Sequence, residues 1–401
     1  MNSVVAFVVV MLVWTVSDFV AKKTKSLLSS LFVASIIFLI GFLTGIFPDD
    51  LLVASSLLGL AGVVVGFIIV HLGTMISLED FKKQWKTFLI GVATVFGIGI
   101  ALWAASVIFG GSVSGSAQDG YAQTRDFVIA GTGALSGGTI SVILVQEAAL
   151  GVGLTSVAIL PVLIASLQGL VGFPLTSIIL RREAARLKDE YRAGNLAPVE
   201  TEEVEGVAET RLPDALTTTA GTLFVVGVAV LVSIGINNIT DGILNTFVVA
   251  LILGIALRTT GIFKPSVLGG IDGLGLMMIA IMILIFGPLA TVQPADVSAL
   301  AWPLFLAFVF GIIGIGLFSA LVGKLLGYSV PMSVAIGLTS LYGFPGTMIL
   351  SQEAARGAGE SPEEVAAIEQ EILPKMIVAG FSTVTITSVI VTSILVGRIG
   401  G

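Results

Sequence analysis

Long apolar runs separated by short polar stretches recur from one end of the chain to the other. In order they occupy 3–21, 27–47, 51–76, 87–109, 127–150 and 154–180, then 215–236, 239–257, 266–291, 299–322, 331–350 and 372–396. Most approach or exceed the ~20 residues a helix needs to cross a bilayer. The runs fall six and six about a polar stretch at 181–213. This pattern predicts an all-α membrane protein in two halves, 1–180 and 215–401, joined by a cytoplasmic linker over 181–214.

Composition agrees with the pattern. Of the 401 residues, 56% are hydrophobic and 11% charged, where soluble domains carry about 25% charged residues. The chain has too few solvated side chains for a large water-soluble fold. Lys22, Lys23 and Lys25 follow the first apolar run rather than precede it, opposite to a signal peptide, so a retained helix with its N-terminus outside is expected. The absence of cysteine excludes disulfide and thiolate chemistry. No basic block interleaved with aromatics points to nucleic acid.

Lys and Arg positions set the expected orientation, since they concentrate in cytoplasmic loops. With Lys22–Lys25 inside, Lys82, Lys83 and Lys86 also fall inside after two more crossings. Arg181, Arg182, Arg186, Lys188 and Arg192 fall inside only if 127–150 enters and leaves on one face. Arg258, Lys264 and Lys324 then lie inside, and the acidic loops at 48–50 and 293–296 outside. Each half so read has five crossings and one re-entrant segment, 127–150 in the first and 331–356 in the second. Five is odd, so the halves are expected as inverted repeats of about ten transmembrane helices. Both termini are then outside, at the cost of leaving Arg398 there.

A sequence repeat marks the re-entrant segments. Ser136-Gly137-Gly138-Thr139-Ile140-Ser141-Val142 leads into Ile143-Leu144-Val145-Gln146-Glu147-Ala148-Ala149, and Tyr342-Gly343-Phe344-Pro345-Gly346-Thr347-Met348 leads into Ile349-Leu350-Ser351-Gln352-Glu353-Ala354-Ala355. Matching Gly-Thr to Gly-Thr leaves the second copy two residues shorter. An Ile-Leu-Pro follows each copy, at 159–161 and 372–374, and is expected to open the last helix of its half. Small residues also serve ordinary helix packing, and there are 48 glycines. Two breaks leading into the same sequence favour function instead.

Gly and Pro interrupt helices, and broken backbone at membrane depth is tolerated only where protein buries it or it lines a wet cavity. Paired interrupted segments in corresponding halves point to a transporter's binding site. The helix restarting after each break offers free N–H groups to a carboxylate, and carbonyls before it suit Na⁺. The candidate substrate contacts are Ser136, Gly137, Gly138, Thr139 and Ser141 in the first loop, and Tyr342, Gly343, Phe344, Gly346 and Thr347 in the second.

At these residues the chain resembles the bacterial sodium/glutamate symporter family and, more distantly, the sodium-coupled 2-hydroxycarboxylate (citrate) transporters. The resemblance runs over nearly the full length. It rests on the two glycine loops, their closing helices, the polar stretch between halves and Gly73-Thr74-Met75-Ile76-Ser77-Leu78. It implies inverted five-helix repeats, re-entrant loops meeting at the substrate, Na⁺ as coupling ion, a homodimer in the inner membrane of a bacterium and elevator-type alternating access. The family's symporters carry Gly-Gly-His-Gly in the first loop, where this chain has Thr139 and Ile140, and a small residue where it has Pro345.

Single residues carry two readings each. Lys375 either meets a substrate carboxylate or replaces one sodium as a fixed charge, or it snorkels to the interface. Ser382 and Thr383 are sodium-site candidates, against hydroxyls bonded back to the helix. Gln146 and Gln352 are candidates to line or gate the path. Glu147 and Glu353 stand about 12 Å past their loop tips, at ~1.5 Å per helical residue, and are read as capping or gating the hairpins. His71 is either a proton-coupling group or a hydrogen-bonded packing residue. Asp18 and Lys22 are spaced for an interfacial ion pair.

Na⁺-coupled uptake of a small carboxylate such as glutamate is the leading expectation, with a proton-coupled exporter or exchanger of a small organic anion as the alternative. A channel would use a ring of repeated subunits, not a two-fold internal repeat. No zinc-protease motif, Ser–His pairing or Asp-rich loop pair supports an intramembrane enzyme. No Walker loop supports ATP as the driving force.

Overall fold

A computed structural model describes residues 1–109, 120–196, 210–240, 244–271, 273–381, 383 and 387–400. Ser382, one of the two sodium candidates, lies outside the described residues.

All described secondary structure is helical. The first half holds α1 (Ser3–Lys23), α2 (Ser30–Leu43), α3 (Leu51–Ala54), α4 (Leu57–Met75), α5 (Leu78–Lys83), α6 (Trp85–Phe109), α7 (Gly120–Leu135), α8 (Thr139–Gly151) and α9 (Thr155–Arg192). The second holds α10 (Thr219–Ile239), α11 (Thr246–Thr259), α12 (Leu274–Phe286), α13 (Pro294–Ala299), α14 (Ala301–Leu325), α15 (Val330–Leu338), α16 (Gly346–Ala358), α17 (Pro362–Phe381) and α18 (Ser388–Val396). Among the described residues seven helices are long and apolar enough to cross a membrane, which makes this a multi-pass membrane protein. Val8, Leu12 and Phe19 on α1, and Leu317 and Leu321 on α14, point outward. Such faces suit lipid, where apolar exposure carries no hydration penalty.

Three expectations change. The polar stretch expected as a linker from Arg181 begins as helix, because α9 runs unbroken to Arg192. Glu183–Arg186 and Arg186–Glu190 pairs at helical spacing support that extension. The Ile-Leu-Pro triplets do not open their helices, since Pro161 and Pro374 lie inside α9 and α17. The two glycine copies also align without a gap. Leu135 and Leu341 end the helical turns before the breaks. Gly137 and Gly343 are both left-handed, with φ of 88° and 59°. Ser141 then corresponds to Thr347, and the shared Ile-Leu-x-Gln-Glu-Ala-Ala needs no insertion.

The chain forms two compact units that do not follow the halves in sequence. One comprises 1–7, 51–85 and 198–284, the other 8–50, 86–197 and 285–401. In the first, α4 and α11 cross at Gly73 and Gly254, where a side chain on either glycine would strike the other helix's backbone, at Leu251 O and Val70 O. His71 is held there: its Nδ1 accepts from Leu268 N at 3.1 Å, and Thr74 Oγ1 accepts from Val267 N at 3.0 Å. The histidine so placed fixes the chain entering α12.

The second unit contains both glycine loops. Its α6 and α14, the corresponding fourth runs of the halves, cross at Gly97 and Gly314. A Cβ at Gly97 would lie 2.7 Å from Gly314 O, and one at Gly314 would strike Gly97 O. Leu102, Phe127, Leu135, Leu160, Leu306 and Leu341 fill the core around this crossing.

Gly314→Val forces backbone apart at this crossing. A loss of at least ~1–3 kcal/mol is expected from overpacking, read as a lowered thermal midpoint in detergent. An unchanged midpoint would mean the crossing is loose.

Candidate functional site

The two loops are each tied to the last helix of the opposite half. Ser136 Oγ donates to Gly133 O at 3.1 Å, and its oxygen lies 2.6 Å from Ser388 Oγ. Ser388 Oγ is also 2.6 Å from Ser141 Oγ. The Ser388 hydroxyl carries one proton, so it donates to at most one of the two serines and accepts from the other. All three serines are fully buried or nearly so. In the second loop Tyr342 OH donates to Thr176 Oγ1 of α9 at 3.0 Å, and the ring packs on Phe173 with centroids 5.4 Å apart. Ser136 and Tyr342 each directly precede the left-handed glycine of their loop.

Ser388 and Thr176 were missed from sequence, although a signal exists. Thr176-Ser177-Ile178-Ile179 and Thr387-Ser388-Val389-Ile390 stand downstream of the two Ile-Leu-Pro triplets. The closing helices therefore carry a second repeat, a hydroxyl pair placed to receive the opposite loop.

The two copies differ in how their hydroxyls are satisfied. Ser141 is bonded; its counterpart Thr347 is buried, and among the described residues its Oγ1 has no partner. The Ser388 hydroxyl joins two serines, whereas Ser177 Oγ has no partner among the described residues. Among the described residues Thr383 Oγ1 and Ser340 Oγ are likewise buried and unbonded, as are Thr132 Oγ1 on α7 and Thr392 Oγ1 on α18, near the first loop. Thr347 faces Gly380, where a Cβ would lie 2.8 Å from its methyl and 3.4 Å from its hydroxyl. Thr383 follows three residues later, in π-helical geometry between α17 and α18. An unmade hydroxyl bond in a dry interior costs about 1–3 kcal/mol, so each of these hydroxyls is costly without a ligand.

The remaining candidates divide. Gly138 caps α8, and Gly346 opens α16, where a side chain would meet the Tyr342 ring at 2.8 Å. Phe344 stacks on Phe381 at 5.5 Å. Thr139 is exposed beside Ile140 and does not join the serine cluster. Lys375 Nζ bonds Glu371, at 2.8 Å to its carbonyl and 2.6 Å to its carboxylate, so its charge is taken up on α17 itself. Gln146 is half-buried, and Gln352 Nε2 donates to Glu369 on α17 at 3.1 Å. Glu147 is exposed while its repeat partner Glu353 is buried. Asp18 and Lys22 pair at 2.6 Å.

The polar extension of α9 bonds to the start of α15 and to the segment beyond α16. Ser329 Oγ, at the start of α15, donates to buried Glu183 at 2.6 Å. Beyond α16, Arg192 bonds Glu364 at 2.7 Å and Glu360 at 2.8 Å, and Lys188 reaches Glu360 at 3.1 Å. Arg192 holds both carboxyls below the usual range.

No protein-family model and no curated protein sequence matches the chain.

Two outcomes follow from this geometry. Ser388→Ala removes the link between two buried serines, and a loss of about 1–3 kcal/mol is expected, with faster hydrogen exchange over 136–141; unchanged exchange there would show that the loop is held otherwise. The Glu360 and Glu364 carboxyls lie low in the fold, so their stabilisation is present above the unfolded value near about 4.3 and fades as pH falls below it. Exchange at 360–364 should therefore rise on acidification in the native chain and already be raised in Arg192→Gln.

Proposed function

We propose that this chain is a secondary active transporter that carries a small carboxylate, such as glutamate or another amino or dicarboxylic acid, together with Na⁺. The scaffold is read as two inverted five-helix repeats with re-entrant hairpins at 127–150 and 331–356, working by elevator-type alternating access as a homodimer in a bacterial inner membrane, termini outside. The resemblance to sodium/glutamate symporters supports this reading. The observation that carries it is the pair of matched chain breaks, each with a left-handed glycine, each bonded to the other half's closing helix. Interrupted helices at corresponding positions are where such transporters bind solute and ion.

The unbonded hydroxyls of Thr347 and Thr383 are the favoured cation ligands. They are neutral oxygen donors, suited to a singly charged hard ion; a divalent ion calls for carboxylates. Free N–H groups at the starts of α8 and α16 are the favoured contacts for the carboxylate, since Lys375 is occupied by Glu371.

The test is a thermal-shift screen of amino acids, dicarboxylates and 2-hydroxy acids in Na⁺ against K⁺. Specific binding raises the midpoint by mass action. Thr347→Val and Thr383→Val should each weaken the Na⁺ effect about tenfold, equivalent to ~1.4 kcal/mol, with the fold retained. Absence of any Na⁺-dependent shift across the carboxylates would remove the reading.

A further inference from the structure

The Gln-Glu-Ala-Ala repeat places two glutamates at equivalent positions in very different surroundings. Glu147 is exposed on α8. Glu353, on α16, is only 9% exposed. The second half of α16 is docked on the segment that leads into α2. Ser26 Oγ donates to Glu353 O at 2.9 Å, and the missing side chain of Gly357 lets Lys25 O approach, to 2.9 Å of where a Cβ would stand. The carboxyl itself reaches the first turn of α2.

Its two oxygens are treated unequally. Oε1 accepts from Ser30 N at 3.0 Å and also from Ser30 Oγ. Oε2 is buried and has no partner among the described residues. A carboxylate spreads its charge over both oxygens, and leaving one of them bare in a dry interior is costly. A neutral acid fits the same arrangement at far lower cost: its carbonyl oxygen accepts both bonds, and the other oxygen carries the proton. Only one O–H bond is then unmade.

The surrounding charges do not reverse this. Among the described residues Glu353 makes no ion pair. Arg356 on the same helix donates its Nε to Gln352 O at 3.2 Å, and Asp18 on α1 is paired with Lys22. On α9, on α17 and in the turn between α16 and α17, Glu183, Glu364 and Glu360 are engaged by Arg186, Arg192 and Lys188, and Glu369 by Gln352. Helix α16 is not one of the seven apolar spans. Burial pushes the Glu353 carboxyl above its ordinary range, with the Ser30 donors and Arg356 acting the other way.

We propose that Glu353 is a proton-binding site: protonated on Oε2, it docks α16 on Ser30 at the start of α2, and loss of the proton to water releases that contact. The proton is taken from and returned to solvent as the second hairpin docks and undocks. The first hairpin, with Glu147 in the open, lacks this control. Use of the site in transport rests on the proposed function; its protonation does not.

Infrared spectroscopy of the purified full chain tests it directly. At neutral pH the wild type should show a carboxylic-acid carbonyl band that Glu353→Gln lacks and Glu147→Gln keeps. Ser30→Ala, which leaves the carboxyl but removes one donor to it, should shift that band. If the wild type and Glu353→Gln have the same spectrum, Glu353 is ionised and the proposal is overturned. Thermal midpoints supply a second readout. An acid raised in the fold stabilises below its unfolded value, near about 4.3, and that stabilisation is lost as pH rises through the folded value. The wild type should therefore lose stability toward alkaline pH relative to Glu353→Gln; parallel profiles would count against the site. The band present, but no Na⁺-dependent carboxylate binding, would sink the transport reading and leave this one standing.

Discussion

Backbone that leaves a helix inside an apolar molecule exposes N–H and C=O groups with no water to receive them, and the organisation of the second compact unit follows from that constraint. Each break is short, turns at one left-handed glycine and restarts at once, so few groups are left open. What remains is pinned by side chains: Ser388 joins Ser136 and Ser141 on one side, and Thr176 receives Tyr342 on the other. Each half supplies the hydroxyl that steadies the other half's loop. Neither loop is self-sufficient.

Close helix crossings make this cross-bracing geometrically available. Gly97 and Gly314 bring α6 and α14 to backbone contact, and Gly172 and Gly346 let the Tyr342 ring lie against α9 and α16. Removing side chains at these points gives up little burial and gains van der Waals contact, the main attraction between helices where lipid competes for apolar surface. Polar bonds then fix register where packing alone would permit sliding.

The copies have diverged within this shared frame. The first loop's three serines are linked to one another although Thr132 and Thr392 nearby keep unbonded hydroxyls; in the second, Thr347 and Ser340 have no partner among the described residues, and α9 bonds to the start of α15 and to the segment beyond α16. In the proposed transport cycle the unbonded hydroxyls of Thr347 and Thr383 are the ones with something to bind.

Hydrophobic runs alone determined that the chain is helical and membrane-spanning, because crossing a bilayer imposes length and apolarity that composition cannot hide. The Gly-rich repeats likewise placed both breaks, since Gly and Pro act locally. The rest depended on partners distant in sequence. Whether Glu147 or Glu353 is buried, whether Lys375 is free or held by Glu371, and that Ser388 rather than Thr139 completes the first loop are questions of which helix lies alongside. His71 and Thr74 show the same: adjacent residues on one helix became receivers for Leu268 and Val267 only once the chain returned beside them. Local sequence sets where backbone must break; only packing decides which side chains arrive to satisfy it.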